Sequence, residues 1–348
     1  MKPTSKMQPT SQNETESRAF VVRMVDYRDS DRIVTLFTED TGKVSALARG
    51  AKKSRKRFGA ALSPYMLGRV KLKGSLHGGK LPTLSDIQPL EHFPNIGKDM
   101  IRLALAGYFA ELCRETIPES NPEPGIFELL LEAHRIMNSG RPKRALVRAF
   151  ELHLLTQLGF SPQLDRCGGS SPDATCSAEL VYESSQPTSN VTVEDFTKKE
   201  MGNRVYTAND SDRENIEVNK GKGDNGDRDC REKKYAFDLT LGGALCSNCA
   251  DKVAGNVKKL TGESLHFMRV LLCNDLSEIA ESGFDLSSSV NNEIRQALGP
   301  TLINLSGKPL KSLSFIQKLR QWETPQSKSR THQAGWKDNP PEGRDGGQ

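Results

Sequence analysis

Three groups of side chains in this 348-residue chain have the types and spacing that chemistry requires. Arg49-Gly-Ala-Lys52-Lys53-Ser-Arg55-Lys56-Arg57 puts six cations into nine positions with no acid among them, a run suited to meeting phosphate. Cys246-Ser-Asn-Cys249 sets two thiols at the spacing that lets both reach one tetrahedral zinc ion. The other half of such a site is less regular: Cys167-Gly-Gly-Ser170 carries serine where a second ligand is expected, which leaves Cys176 or Cys230 to complete four cysteines. Asp26, Asp29 and Asp31 form the third group, and carboxylates in that density suit a hard cation in a metal-dependent nuclease. Arg28 and Arg32 are interleaved with them, and no distant Asp, Glu and His set completes an active site, so salt-bridged turn residues are the better reading.

Around the basic run the same segment carries Arg32, Lys43, Arg69, Lys71 and Lys73, which extend a positive surface beyond the loop, with Arg32 and Lys71 as further phosphate contacts. If Z phosphates are neutralised, log affinity falls with log salt at about −0.9Z for duplex and about −0.7Z for single strands. Single-strand readers add aromatic platforms, and Tyr27, Phe37, Phe58 and Tyr65 are the aromatics at hand, some of which must fill the core. Binding is therefore expected to be dominated by phosphate and weak in sequence preference. Further along, Arg135, Arg141, Lys143, Arg144 and Arg148 place cations near a helical pair that could receive an acidic peptide, with Arg135, Arg144 and Arg148 as the candidate contacts. His153 falls on an apolar helical face and reads as a core or boundary histidine. No Ser-His-Asp order or Gly-rich phosphate loop stands out, which favours a binding protein over an enzyme and calls for no organic cofactor.

These residues need elements to hold them. Residues 1–17 are polar without periodicity and read as a disordered leader. Short runs rich in β-branched and aromatic residues follow at Ala19 to Val25, Arg32 to Thr38, Lys43 to Arg49, Tyr65 to Lys73 and Leu81 to Ile87, with Thr38-Glu-Asp-Thr-Gly42 as a hairpin turn. Five short strands within residues 18–94 predict a small barrel, most simply an OB-fold, and the basic run then becomes a loop pinned at both ends. After Pro94 the period turns helical: Ile101 to Leu112, Ile126 to Ala133 and Leu146 to Leu158 make the first part of a helical domain over 95–163. Residues 164–249 lose that pattern and hold the cysteines, with a polar, flexible insertion at about 184–232. Helical pattern resumes over 250–323, and a disordered tail fills 324–348. The fold class is α+β: a five-stranded N-terminal barrel, then an all-α domain interrupted by a zinc-finger-like irregular segment.

Totals fit this picture. A net charge of +5 is mild, so the local field of the loop is the more useful clue. No apolar run reaches membrane-spanning length and the N-terminus lacks the apolar stretch of a signal peptide, so cytoplasmic residence with no membrane contact is expected. An odd cysteine count of seven with one Cys-X-X-Cys fits a reducing compartment.

Asp26-Tyr-Arg-Asp-Ser-Asp-Arg32, Gly42-Lys43, Arg49-Gly-Ala-Lys-Lys53 and Arg57-Phe-Gly59 resemble, in order and spacing, the N-terminal domain of the bacterial recombination mediator family RecO. Glu151-Leu-His-Leu-Leu155, Leu158-Gly-Phe-Ser-Pro162, Leu164-Asp-Arg-Cys167, Gly242-Gly-Ala-Leu-Cys246 with Cys249, and Gly307-Lys-Pro-Leu-Lys-Ser312 are similar to its later segments, so the resemblance covers most of residues 18–320 outside the insertion. It implies a non-enzymatic, nucleoid-associated protein of the RecF pathway of gap and break repair. Such a protein binds single- and double-stranded DNA, anneals complementary strands, works with RecR, and engages the acidic C-terminal tail of single-strand-binding protein so that recombinase can load. It also implies a structural zinc, from which this chain departs at Ser170. The rival readings are the metal-dependent nuclease built on the acidic cluster and a zinc-ribbon RNA-binding module.

Overall fold

The computed structural model describes residues 14–54, 58–62, 66–76, 79–140, 142–171, 174–176, 178–180, 234–253 and 257–322. The expected flexible insertion, the C-terminal tail and all but the end of the leader lie outside these residues.

The N-terminal strands are β1 (Glu14–Tyr27), β2 (Asp31–Thr38), β3 (Gly42–Ala48), β4 (Leu67–Lys73) and β5 (Thr83–Glu91). They close a barrel in the order β1-β2-β3-β5-β4, the OB-fold arrangement, with β3 and β5 meeting in parallel at Leu47 and Thr83. Strand β1 begins at Glu14, ahead of the expected start of order at Arg18, because its first half pairs with β4 from Glu14↔Lys73 to Phe20↔Leu67. Polar residues suffice there, since the ladder and the facing charges hold the strand. Its second half pairs with β2 across a bulge between Val21 and Arg23.

Period-two alternation gives the barrel wall two apolar faces. Ala19, Val21, Val34, Leu36, Val44, Ala46, Val70, Leu72, Leu84 and Ile87 point inward and make the barrel's own core. Phe20, Val22, Phe37 and Leu67 point outward and belong to the core of the helices. Phe20 packs on Phe93, Phe127 and His134, and Phe37 packs on Phe127. Around this seam Arg18 bonds Glu39 and Glu128 and lies over the Phe127 ring, while Arg135 donates to both Glu91 carboxylate oxygens through Nε and Nη2. Gly42, at φ 71°, comes so near the segment before α3 that a Cβ would sit 2.0 Å from the Asn121 carbonyl oxygen, so only glycine fits.

The helices are α1 (Pro94–Lys98), α2 (Met100–Thr116), α3 (Pro124–Ser139), α4 (Arg144–Gln157), the single turn α5 (Ser247–Ala250), then α6 (Gly262–Cys273), α7 (Leu276–Glu281), α8 (Ser288–Ser306) and α9 (Lys311–Trp322). The short helices α1, α5 and α7 are too brief to show a period in the sequence. Asp99 caps α2 through the N–H groups of Ile101 and Arg102, and Asp275 with Glu278 forms a capping box on α7. Helix α4 is the central one: every residue from Ala145 to Leu152 is buried, because α3, α6, α7 and α8 surround it. Glu111, on α2, holds the last helix by accepting from the N–H groups of Lys311 and Ser312 and from the Ser312 hydroxyl.

The segment expected to be irregular is more ordered than that. Two short strands, β6 (Ser170–Ser171) and β7 (Ala174–Thr175), pair with each other, and β8 (Lys234–Asp238), β9 (Gly243–Leu245) and β10 (Lys258–Thr261) form a sheet in the order β10-β8-β9 that runs past the predicted boundary at 249. These strands are held by long-range pairing rather than by any local period. Among the described residues no helix is long and apolar enough to cross a membrane.

Candidate nucleic-acid interface and cysteine centre

At one end of the barrel the β1–β2 turn and the start of the β3–β4 loop are fastened together. The Asp31 carboxylate accepts from the Gly50 N–H at 2.8 Å and from the Ser30 hydroxyl, and the Lys52 N–H donates to the Ser30 carbonyl. Lys52 Nζ donates to the Arg28 carbonyl at 3.0 Å and lies 3.4 Å from Asp26, which also accepts from Arg32 at 3.0 Å. The Gly50 N–H, then the Ser30 hydroxyl and the charges of Arg28 and Arg49, hold the Asp31 carboxyl below its ordinary range. Asp26 is lowered chiefly by Arg32 and then by Lys52. The acids therefore orient and anchor cations. Among the described residues the only His, Cys, Asp and Glu donors that converge on one point are four cysteines, so the acidic trio forms no nuclease-type metal site.

Arg49, Lys52 and Lys53 are exposed along this fastened loop, with Arg32 half-buried beside them. Arg55, Lys56 and Arg57 lie outside the described residues. Lys71 is elsewhere: it stands with Arg69 and Lys73 on the outer side of β4, 3.4 Å from Glu16, where β4 pairs with the opposite half of β1.

The arginines singled out on the helices do not converge on a peptide site. Arg148 is only 5% exposed and pairs with buried Glu151 at 2.7 Å, so it is removed from that set; it lies in the stretch of α4 from Ala145 to Leu152 in which every residue is buried. Arg144 donates to the Leu286 carbonyl and Arg135 is engaged by Glu91. Sequence reasoning missed the concave spot nearby, a cleft of about 210 Å³ between the end of α3, the start of α4 and α7, lined by Ile136, Lys143, Leu146, Ile279 and Ala280. His153 donates through Nε2–H to the Asn274 carbonyl oxygen at 3.0 Å, as a boundary histidine would.

The second centre brings Cys167, Cys176, Cys246 and Cys249 within 4.8 Å of one another, which decides for Cys176 as the fourth thiol; Cys230 lies outside the described residues. Cys176 and Cys246 Sγ atoms are 3.9 Å apart, and zinc at about 2.3 Å from each sulfur requires edges of roughly 3.8 Å. The N–H groups of Gly169 and Cys246 donate to Cys167 Sγ at 3.4 and 3.2 Å, the kind of contact that steadies a metal thiolate. Gly169 is obligatory, since a Cβ there would be 2.7 Å from Cys249 Sγ. Burial and the neighbouring thiols push Cys249 up to about 12, while the Ala178 N–H is the main cause that lowers Cys176. Four thiols so close ionise together only around a cation. Arg269 ties this centre to the helices through the Leu164 and Leu180 carbonyls.

Barrel, helical body and cysteine centre together define an OB-barrel protein with a four-thiol subdomain. The family model for the N-terminal domain of Recombination protein O matches residues 11–93, and that for its C-terminal domain matches residues 97–184. The chain is 31% identical over 299 residues to the DNA repair protein RecO of Anaeromyxobacter sp. (strain K), covering 86% of this chain and 94% of that protein. It is 30% identical over 301 residues to the DNA repair protein RecO of Symbiobacterium thermophilum, covering 86% and 95%, and 26% identical over 304 residues to that of Bacillus pumilus, covering 87% and 94%. The chain belongs to the RecO family.

Proposed function

We propose that this chain is a non-enzymatic mediator of recombinational DNA repair, acting in the cytoplasm at the nucleoid. The observation that carries the reading is the fastened basic loop, in which Asp31 and Asp26 fix Gly50 and Lys52 so that Arg49, Lys52 and Lys53 project from a rigid barrel end. Cations held in place lose little freedom on meeting phosphate and lower the repulsion between two strands brought onto one surface. The repair names of the RecO relatives point the same way.

Partners follow from the same reading: single- and double-stranded DNA on the barrel, RecR, and the acidic tail of single-strand-binding protein on the helical body. For the tail, the apolar cleft beside Lys143 is a better place than the three arginines, since it joins a concave apolar lining to a cation. The four thiols serve as a structural zinc site in which Cys167, Cys176, Cys246 and Cys249 each give one sulfur; the ion would cross-link two stretches of chain far apart in sequence.

The test is annealing of complementary oligonucleotides coated with the cognate single-strand-binding protein. The chain should accelerate annealing, and replacing Lys52, Lys53, Arg55, Lys56 and Arg57 with Ala should abolish the acceleration and flatten the salt dependence of DNA binding. A well-folded chain that gives no acceleration would overturn the mediator reading, and an unchanged salt slope in the variant would move the DNA site away from this loop.

A further inference from the structure

Of the four aromatic side chains available to the barrel for stacking, Phe37 and Phe58 are each 1% exposed inside apolar cores, and Tyr65 lies outside the described residues. Tyr27 is different. It is the last residue of β1, it is 39% exposed, and Val25 on the same outer face is exposed with it. A ring this open at a strand end gains less from burial than the core rings Phe37 and Phe58 do.

Its surroundings are organised. Arg28, the next residue, takes a left-handed backbone at φ 53°, a conformation that is strained for a non-glycine residue, and its side chain turns back over Tyr27, the guanidinium carbon lying 5.1 Å from the ring centroid. Lys52 Nζ fixes the Arg28 carbonyl, so the strained residue is held by the basic loop itself. The acids beside the ring are Asp26, which is neutralised by Arg32 and Lys52, Asp31, which is tied to Gly50, and Asp29 in the turn. A flat π surface thus adjoins a group of cations.

We infer that Tyr27 is a stacking platform for an unpaired nucleobase, with Arg28 leaving the ring face to meet the phosphate next to that base. Resting on the proposal that the barrel end binds DNA, this adds the chemical class of ligand preferred there: single strand over fully paired duplex, with stacking supplying base contact that carries little sequence information. The guanidinium over the ring in the free protein keeps the platform partly shielded until a strand arrives.

Fluorescence anisotropy with a labelled oligo-dT of about 16 nucleotides and with an abasic strand of equal length decides the matter. Tyr27→Ala should weaken oligo-dT binding by about tenfold while leaving the salt slope and the abasic strand's affinity unchanged; Tyr27→Phe, which keeps the ring, should bind as the parent does. Equal affinity of Tyr27→Ala and parent for oligo-dT would overturn the stacking role, and so would equal loss in Tyr27→Phe. Failure of the parent chain to bind either strand would instead overturn the DNA-binding reading itself, and the two failures are told apart by the parent's binding alone.

Discussion

The barrel and the cysteine subdomain are both small β structures docked on the same helices, yet they are held together by different means. The barrel closes on its own apolar core, with Ala19, Val21, Val34, Leu36, Ala46, Val70 and Leu84 all removed from solvent. Among the described residues the cysteine subdomain has no separate core: Leu164, Tyr235, Phe237, Leu245 and Leu260 belong to the helical cluster, and its two halves face each other through four sulfurs. A closed five-stranded sheet buries enough surface to fold by hydrophobic burial, whereas short strands flanking a long insertion require a cross-link.

The largest effect expected from this contrast is metal-linked. Replacing Cys246 and Cys249 with Ser should empty the chain of zinc and strip hydrogen-exchange protection from residues 235–261 while the barrel amides keep theirs; zinc that survives the double substitution would break the comparison from one side. Leu36→Ala tests the other side. It should cost about 3 to 4 kcal/mol in denaturant unfolding, with the bound metal retained in the folded fraction, and a cost near zero would mean the barrel does not rely on its interior.

A smaller effect belongs to the seam that both cores approach. His134 is fully buried between Phe20 and Phe93, its Nδ1 2.8 Å from the Leu130 carbonyl, and burial lowers it to about 4 from an ordinary 6.5. The folded chain therefore resists a proton that the unfolded chain accepts. Stability is fully present above pH 6.5 and falls by about 3 kcal/mol as the pH drops to 4. Unfolding measured across that range should show this loss, and His134→Leu should flatten it by about one proton; an unchanged slope would assign the acid sensitivity elsewhere.

The strands of the barrel were legible because alternation and turn residues are local: the Thr38 to Gly42 hairpin and the five runs appear in the structure with small boundary shifts. The additional turn of β1 at Glu14 was hidden, since a charged strand announces itself only through its partner. Three-stranded pairing around β8 was equally hidden, its strands coming from both sides of short irregular stretches. Among the thiols, Cys-X-X-Cys was plain, but the choice between Cys176 and Cys230 needed the fold, because the pairing of β6 with β7 places Cys176 beside the other three. Arg148 misled for a related reason: a cation on a helix reads as surface until one knows that the helix is buried around that position.

Strand β1 has one remaining consequence. Its inward side chains serve the barrel and its outward Phe20 and Val22 serve the helices, so one stretch of backbone is a wall common to two interiors. The protein is therefore not modular in the ordinary sense: a shortened chain starting at α1 would leave Phe127 and His134 bare, and a barrel produced alone would carry Phe20 and Phe37 on its outside. Each half alone would expose apolar surface that the other now covers, and a protease that severs the link near Phe93 should yield a nicked particle that stays associated rather than two separable pieces.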